Sequence, residues 1–103
     1  MKYLLDFLPE VYGDVQEAYD WYEKQSIGLG ENFLLSVDVA IDSAHRNPLL
    51  FEKIYKTTRK LNVKRFPFGV FYVLNRDIIT VLAIVHLSRH PATWKKRKIS
   101  KNR

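Results

Sequence analysis

Basic side chains in the second half of the sequence are the residues best suited to chemistry. Those on or beside predicted strands are Arg59, Lys64, Arg65, His86, Arg89, His90 and Arg97. Cations on a sheet bind phosphate groups, and aromatic side chains between them could stack on bases. The pattern therefore predicts a surface for single-stranded RNA or for a machine that handles nucleic acid. A basic strand edge that prevents aggregation fits the same spacing equally well.

One pair of these residues could take part in proton transfer. His86 ends the most apolar stretch of the sequence, and Arg89 follows three residues later. A histidine can donate or accept a proton near neutral pH, and a nearby guanidinium can stabilise a negatively charged transition state. A histidine at a strand end is more often a hydrogen-bonded structural group, and for His86 alone we favour that interpretation.

Composition and spacing disfavour several other kinds of site. The chain has no cysteine, so a thiol nucleophile and a thiolate metal site are impossible. His45, His86 and His90 lack the spacing of metal ligands, and we expect no metal and no cofactor. Gly28-Leu29-Gly30 follows a predicted helix without a Lys-Ser/Thr pair, which indicates a turn and not a phosphate-binding loop.

Charge divides the sequence into two halves. Residues 1–52 contain 3 basic and 10 acidic residues, whereas residues 53–103 contain 14 basic residues and 1 acidic residue, for a net charge of +6. This asymmetry indicates either a basic surface for a polyanion or an acidic protein, or attraction between the halves within the fold. The run from Lys95 to Lys98 has few acids near it in sequence. Five acidic residues of the predicted first helix lie on the side opposite its apolar stripe, and we expect them to face water. They are Glu10, Asp14, Glu17, Asp20 and Glu23.

Hydrophobic periodicity predicts the elements that position these residues. Residues 3–8 are typical of a first strand, and a helix follows from about Pro9 to Gln25. Its apolar stripe comprises Val11, Val15, Ala18, Tyr19 and Tyr22. A second helix ends at Asn47-Pro48. Its stripe comprises Phe33, Leu34, Val37, Ala40, Ile41 and Ala44.

The remainder of the chain has the character of strands. Residues 58–65 alternate in a two-residue period, and residues 70–74 and 78–85 are apolar runs joined by Asn75-Arg76-Asp77. The order predicts one α+β domain over residues 1–103: an N-terminal strand, a helical hairpin and a three-stranded antiparallel sheet (β-α-α-β-β-β), which the first strand joins. A basic tail at about residues 95–103 is expected to fray. No apolar run approaches the roughly 20 residues of a membrane span, so a cytoplasmic protein without membrane contact is expected.

Several segments carry a resemblance to a known family. They are Ala18-Tyr19-Asp20-Trp21-Tyr22-Glu23, Gly28-Leu29-Gly30 with Phe33, Asn47-Pro48, Arg65-Phe66-Pro67-Phe68 leading into Val70-Phe71-Tyr72, and His86 through Arg89-His90-Pro91 to Trp94. In order and spacing they resemble the RelE/ParE family of toxins from bacterial type II toxin–antitoxin and plasmid-stabilisation systems. The resemblance covers nearly the whole chain and implies the architecture predicted above. It further implies a growth-inhibiting toxin held in a hetero-oligomer with a cognate antitoxin.

The resemblance implies one of two targets. The ParE-like branch poisons DNA gyrase, and the RelE-like branch cuts messenger RNA on the ribosome. In many ribonuclease members an arginine stands at the position of Gly69 and a tyrosine near that of Trp94, whose indole has no titratable hydroxyl. Gyrase inhibition is therefore slightly favoured, with ribosome-dependent mRNA cleavage as the alternative and an inactive homologue that only binds as a third.

Each function implies its own set of residues. Cleavage would be assigned to Arg59, Lys64, Arg65, His86 and Arg89. Binding of nucleic acid or of the target would be assigned to Arg59, Lys64, Arg65, Arg89, Trp94, Lys95 and Arg97. The C-terminal segment of an antitoxin is expected to lie against the helical hairpin and the sheet. There we expect it to contact Trp21, Tyr22, Phe33 and Phe68.

Overall fold

The computed structural model describes residues 2–99 and contains a sheet of five strands with three helices. The elements follow in the order β1 (Leu4–Phe7), α1 (Pro9–Gln25), α2 (Leu29–Arg46), β2 (Lys53–Tyr55), β3 (Thr58–Asn62), β4 (Phe68–Asn75), β5 (Ile78–His86) and α3 (Ala92–Lys95). The predicted α+β class, with a strand, a helical hairpin and then the sheet, is confirmed. No helix within these residues is long and apolar enough to cross a bilayer.

The sheet is larger than the three-stranded sheet predicted, with strand order β1-β5-β4-β3-β2. β1 runs parallel to β5, with Leu4 opposite Ile78, and the other neighbours are antiparallel. β2 was not predicted, because a strand of three residues is too short to show an alternation. The strand predicted over residues 58–65 ends at Asn62, so Lys64 and Arg65 lie in the turn before β4.

The helical hairpin packs on one face of the sheet, here called the helix-covered face. Pro9 occupies the first turn of α1, where its missing N–H costs no hydrogen bond. The predicted apolar stripes are confirmed, because Val11 and Ala18 of α1 are buried and four residues of the α2 stripe are buried as well. Those α2 residues are Phe33, Val37, Ala40 and Ala44. The main core lies between these helices and β3, β4 and β5.

The turn between the helices is closed by a carboxylate. Glu23 accepts hydrogen bonds from the backbone N–H groups of Gly28 and Gly30, each at 3.0 Å. Gly28 has a φ of +91°, and a Cβ on Gly30 would lie 2.8 Å from the ring of Tyr19. The interpretation of this segment as a turn is confirmed. The expectation that Glu23 faces water was wrong, because its carboxylate satisfies amides at the start of α2.

A second, smaller core lies on the opposite face of the sheet, here called the outer face. Phe71, Ala83, Val85 and Trp94 form it, and Tyr55 packs against it. The Trp94 ring of α3 stacks on Phe71 with 4.8 Å between centroids and 20° between planes. Within the tail predicted to fray from residue 95, Ile99 packs against the main core, and the fraying itself stays a prediction. Residues 100–103 of the predicted tail lie outside the described residues.

Candidate functional site

A groove of about 450 Å³ lies between α1 and the ends of β4 and β5, and we call it the α1 groove. Its lining residues are Asp14, Glu17, Ala18, Trp21, Tyr22, Pro67, Phe68, Ile84, Val85, His86 and Arg89. Trp21 is 58% exposed, and the ring of Tyr22 meets it edge-on at 5.1 Å. The structure thus presents an apolar, partly exposed wall at the surface of α1.

Three of the four residues predicted to bind an antitoxin meet in this groove: Trp21, Tyr22 and Phe68. The Tyr22 ring lies 6.0 Å from that of Phe68, and burial raises the pKa of the Tyr22 hydroxyl. Phe33, the fourth, is 0% exposed and packs beneath Phe68 at 4.9 Å. Phe33 thus presents no surface in the groove and packs behind Phe68, and its predicted contact with an antitoxin stays a prediction.

His86 and Arg89 form the basic side of the α1 groove. The backbone N–H of Ser88 donates to Nδ1 of His86 at 3.0 Å. A nitrogen that accepts this bond carries no proton, so the neutral ring holds its proton on Nε2. The ring also packs against Phe68 at 5.3 Å. His86 is thus held as the hydrogen-bonded group expected at a strand end, while Arg89 is exposed.

Asp14, on the same groove, is bonded to the C-terminal segment. Arg97 donates two hydrogen bonds to its carboxylate, at 2.6 and 2.9 Å, and the two side chains are 14% and 9% exposed. These bonds raise the pKa of Arg97. Asp14 also accepts the N–H of Ile84, and Arg97 donates to the carbonyl of Leu82. The expectation that Asp14 faces water was wrong. Its carboxylate is bonded to Arg97 and accepts a backbone N–H of β5 beyond the point where β1 ends.

Arg59 lies outside the α1 groove and is bonded to the loop between α2 and β2. Its Nη1 donates to the carbonyl of Phe51 at 2.6 Å, just before β2. It lies near Tyr72, whose hydroxyl donates to the carbonyl of Pro48 at 2.7 Å. Burial raises the pKa of Tyr72 to about 12, and the charge of Arg59 opposes that rise. Arg59 and Tyr72 together hold the segment between α2 and β2 against the sheet.

Lys64 and Arg65 line a different groove, which we call the α2 groove. The exposed apolar side chains of Leu35 and Val39 form its other side. Arg65 has a φ of +72°, a left-handed conformation that few residues other than glycine adopt. Lys64 and Arg65 thus line one groove together, whereas His86 and Arg89 line the α1 groove.

Of the remaining predicted binding residues, Trp94 and Lys95 lie at the outer face and Arg97 does not. Trp94 is 7% exposed, so it cannot stack on an external base while its ring covers Phe71. The Nζ of Lys95 lies 4.2 Å from the centroid of the Tyr55 ring. Arg97 is engaged by Asp14. Of this set, only Lys95 keeps its charged group at an exposed surface.

On the outer face of the sheet, Gly69 is surrounded by carbon atoms of neighbouring side chains. A Cβ on Gly69 would lie 3.1 Å from Leu87, 3.2 Å from Phe71 and 3.4 Å from the stem of Lys60. A longer side chain at this position would have to displace Leu87, which covers the end of the outer face. Among residues 2–99, no three histidine or acidic side chains are grouped to hold a metal ion.

Comparison with protein families and solved structures gives a consistent result. Residues 5–91 match the family described as the ParE toxin of the type II toxin–antitoxin system, parDE. The chain belongs to the ParE toxin family. A solved structure described as a chromosomal ParDE TA system from P. aeruginosa is 18% identical and has a TM-score of 0.61, covering 82% of this chain and 95% of that chain. No curated protein sequence gives a significant match.

Membership of the ParE family supports a toxin role and implies an antitoxin partner. The sequence singled out five of the residues that line the α1 groove: the aromatic residues Trp21, Tyr22 and Phe68, and the basic-side residues His86 and Arg89. It did not indicate the parts that Asp14 and Glu23 play, because both resemble ordinary water-facing positions of an amphipathic helix. Tyr55 was also missed, since its importance comes from Trp94, which is 39 positions away in the chain.

Proposed function

We propose that this chain is a cytoplasmic toxin that inhibits DNA gyrase by binding to it. One observation supports the choice of target: the five residues considered for RNA cleavage do not line a single groove. Acid–base catalysis requires its groups within hydrogen-bond reach of one substrate. His86 and Arg89 share one groove, Lys64 and Arg65 share another, and Arg59 is bonded to a loop carbonyl. This separation favours inhibition by binding over cleavage.

Supercoiling of relaxed plasmid by purified gyrase tests the target. We expect supercoiling to fall as the chain is added, and to recover when the chain is first mixed with its antitoxin. Relaxation by a topoisomerase that lacks gyrase subunits is the control and should not change. Undisturbed supercoiling at excess chain, together with cutting of message on ribosomes, would reverse the assignment.

We further propose that the antitoxin neutralises the toxin by occupying the α1 groove. The exposed ring of Trp21 and the aromatic floor beneath it offer the apolar contact that gives most of the affinity in an interface. His86 and Arg89 stand at the rim, where cations would speed encounter with an acidic antitoxin tail. Such a tail would become ordered as it binds.

Two exposed aromatic residues of α1 provide a matched test of this groove. Trp21 is 58% exposed within the α1 groove, and Tyr12 is 67% exposed on the side of α1 that faces α2. Removal of a central aromatic anchor costs about 2 kcal/mol or more, so Trp21→Ala should weaken antitoxin binding at least about thirtyfold. Tyr12→Ala should leave it nearly unchanged. Equal effects of the two variants, measured by calorimetry, would argue against the α1 groove.

A ribosome-dependent endoribonuclease is the second candidate. It is favoured by the shared groove of His86 and Arg89, which places an imidazole near a guanidinium. Cuts in message positioned on ribosomes, present with the native chain and absent with Arg89→Ala, would support it. An inactive homologue is the third reading, and expression without antitoxin would then leave growth unaffected.

A further inference from the structure

Two lysine ammonium groups share one aromatic ring at the outer face of the sheet. The Nζ of Lys95 lies 4.2 Å and that of Lys56 lies 5.4 Å from the centroid of Tyr55. Each ammonium is attracted by the ring, but the two charges repel each other. The ion pairs formed among residues 2–99 are Asp42 with Arg46 and Asp14 with Arg97. Neither lysine at Tyr55 therefore has a carboxylate partner in the described part of the chain.

A third lysine extends this basic surface along β3. Lys60 lies opposite Phe71 of β4, which belongs to the outer-face core, and its stem passes over Gly69. Lys60 also takes part in neither of the two ion pairs. Among residues 2–99, the ion pair that joins the acidic half of the sequence to the basic half is Asp14 with Arg97. The outer face keeps its positive charge.

The backbone at two turns gives an independent observation. Lys56 has a φ of +51° in the β2–β3 turn, and Arg76 has a φ of +59° in the β4–β5 turn. Glycine or asparagine occupies this left-handed region at lower steric cost. Both turns lie at the same end of the sheet, because β2 and β4 run toward it and β3 and β5 run away from it. Both turns therefore hold a cation where an uncharged residue would be less strained, and strain of this kind often accompanies function.

We propose that the outer face, with Lys56 and Lys95 at Tyr55 and Lys60 opposite Phe71, binds the phosphate backbone of double-stranded DNA. Lysines bind phosphates as point charges and release counterions without reading sequence. The choice of DNA as the polyanion rests on the gyrase function proposed above.

The small exposed apolar area of the outer face favours a polyanion over an acidic protein as its partner. Phe71 is 4% exposed and Trp94 is 7% exposed, so both rings are already covered. Protein interfaces derive most of their affinity from buried aromatic anchors, and this face offers few. The α1 groove differs, because Trp21 is 58% exposed there. The two surfaces are thus suited to different partners, an antitoxin in the groove and DNA on the outer face.

The salt dependence of binding to a fluorescent DNA duplex of about two helical turns tests the proposal. The logarithm of the binding constant should fall linearly with the logarithm of the salt concentration. For the double variant Lys56→Asn/Lys95→Gln, the slope should become shallower by about two, since each lysine that contacts a phosphate contributes about one. Affinity near 0.1 M salt should fall by about tenfold or more.

A second double variant controls for net charge. Lys24→Gln/Arg46→Gln removes the same two charges from the ends of α1 and α2. Its slope and affinity should match those of the native chain. The Lys56→Asn change also relieves a left-handed backbone, so Lys56→Asn alone should melt no lower than the native chain. Loss of binding could not then be attributed to unfolding.

Competition separates a nucleic acid from an acidic protein. We expect unlabelled DNA to displace the labelled duplex, and an RNA duplex of the same length to do so no better than DNA. Stronger displacement by polyglutamate would overturn the proposal in favour of an acidic polypeptide. Absence of DNA binding at low salt, or equal losses in the two double variants, would also overturn it. If DNA binding depends on Lys56 and Lys95 but gyrase is not inhibited, this site stands and the proposed function fails.

Discussion

Asp14 and Arg97 form the polar contact on which the position of the C-terminal segment depends. Both side chains are largely buried, and they bond to each other and to the backbone of β5. Arg97→Gln leaves a carboxylate inside the protein without its cation, and we expect the free energy of unfolding to fall by about 2 kcal/mol. Urea denaturation followed by circular dichroism measures this loss.

A second arginine–aspartate pair provides the control. Arg46 and Asp42 lie one turn apart on α2, with side chains 77% and 55% exposed. Because water solvates both charges, Arg46→Gln should cost less than about 0.5 kcal/mol. If both substitutions destabilise the protein equally, burial is not the reason that the Asp14–Arg97 pair matters.

Arg65 is predicted to reduce stability through its backbone conformation. At a φ of +72°, its Cβ is crowded by the neighbouring carbonyl, and glycine removes this strain. Glycine also has more freedom in the unfolded chain, so Arg65→Gly should raise stability by only about 0.5 kcal/mol. Lys64→Gly, one position earlier and without a positive φ, should lower stability. A lower melting temperature for Arg65→Gly would contradict this prediction.

At the scale of elements, the helical hairpin was predictable, whereas β2 and the short helix α3 were not. Apolar residues spaced three and four apart, such as Val37, Ala40 and Ala44, identify the buried face of a helix without reference to its neighbours. β2 depends on pairing with β3, and nothing in Lys53–Tyr55 signals that pairing. The bond of Asp14 was equally unpredictable, because its partner Arg97 lies 83 positions away in the chain. Contacts between distant positions leave no periodic pattern in one sequence.

α3 is expected to depend on one ring for its attachment to the sheet. Trp94 is 7% exposed and stacks on Phe71, whereas Trp21 is 58% exposed. Trp94→Ala should lower the free energy of unfolding by about 3 kcal/mol and open the chain to trypsin at Lys95 and Lys96. Trp21→Ala should cost less than about 1 kcal/mol. Resistance to trypsin in the Trp94→Ala variant would show that α3 is attached by other contacts.

At the scale of the whole molecule, the charge pattern of the sequence predicted a basic surface, but it did not predict which basic side chains are bonded within the fold. The sequence predicted a basic region, and the structure keeps one at the outer face. It could not predict that Arg59 and Arg97 are engaged by a loop and by α1, because both look like exposed strand and tail residues. Trp21 and Tyr22, which were predicted to contact an antitoxin, line one groove, and that contact stays a prediction.

The stability of the whole fold should decrease at alkaline pH because of Tyr72. Burial raises the pKa of its hydroxyl to about 12, whereas the unfolded chain ionises near pH 10. The stabilisation from the neutral phenol is complete below pH 10 and is lost as pH rises toward 12, a change of roughly 2 kcal/mol. Urea titrations between pH 8 and pH 12 measure it. Tyr72→Phe should show a smaller decline, and an unchanged decline would mean that other groups cause it.

The parallel pairing of β1 with β5 determines when the fold can form during translation. Residues 4–7 find their partners only in residues 78–81, so a nascent chain released earlier lacks β5 and leaves β1 unpaired. Such a fragment lacks the strand that α1 contacts, so it exposes apolar side chains of α1 such as Val11 and becomes a substrate for proteases. Contacts over such long separations also make folding slow. A ribosome that stalls before the last quarter of this message therefore releases no folded toxin.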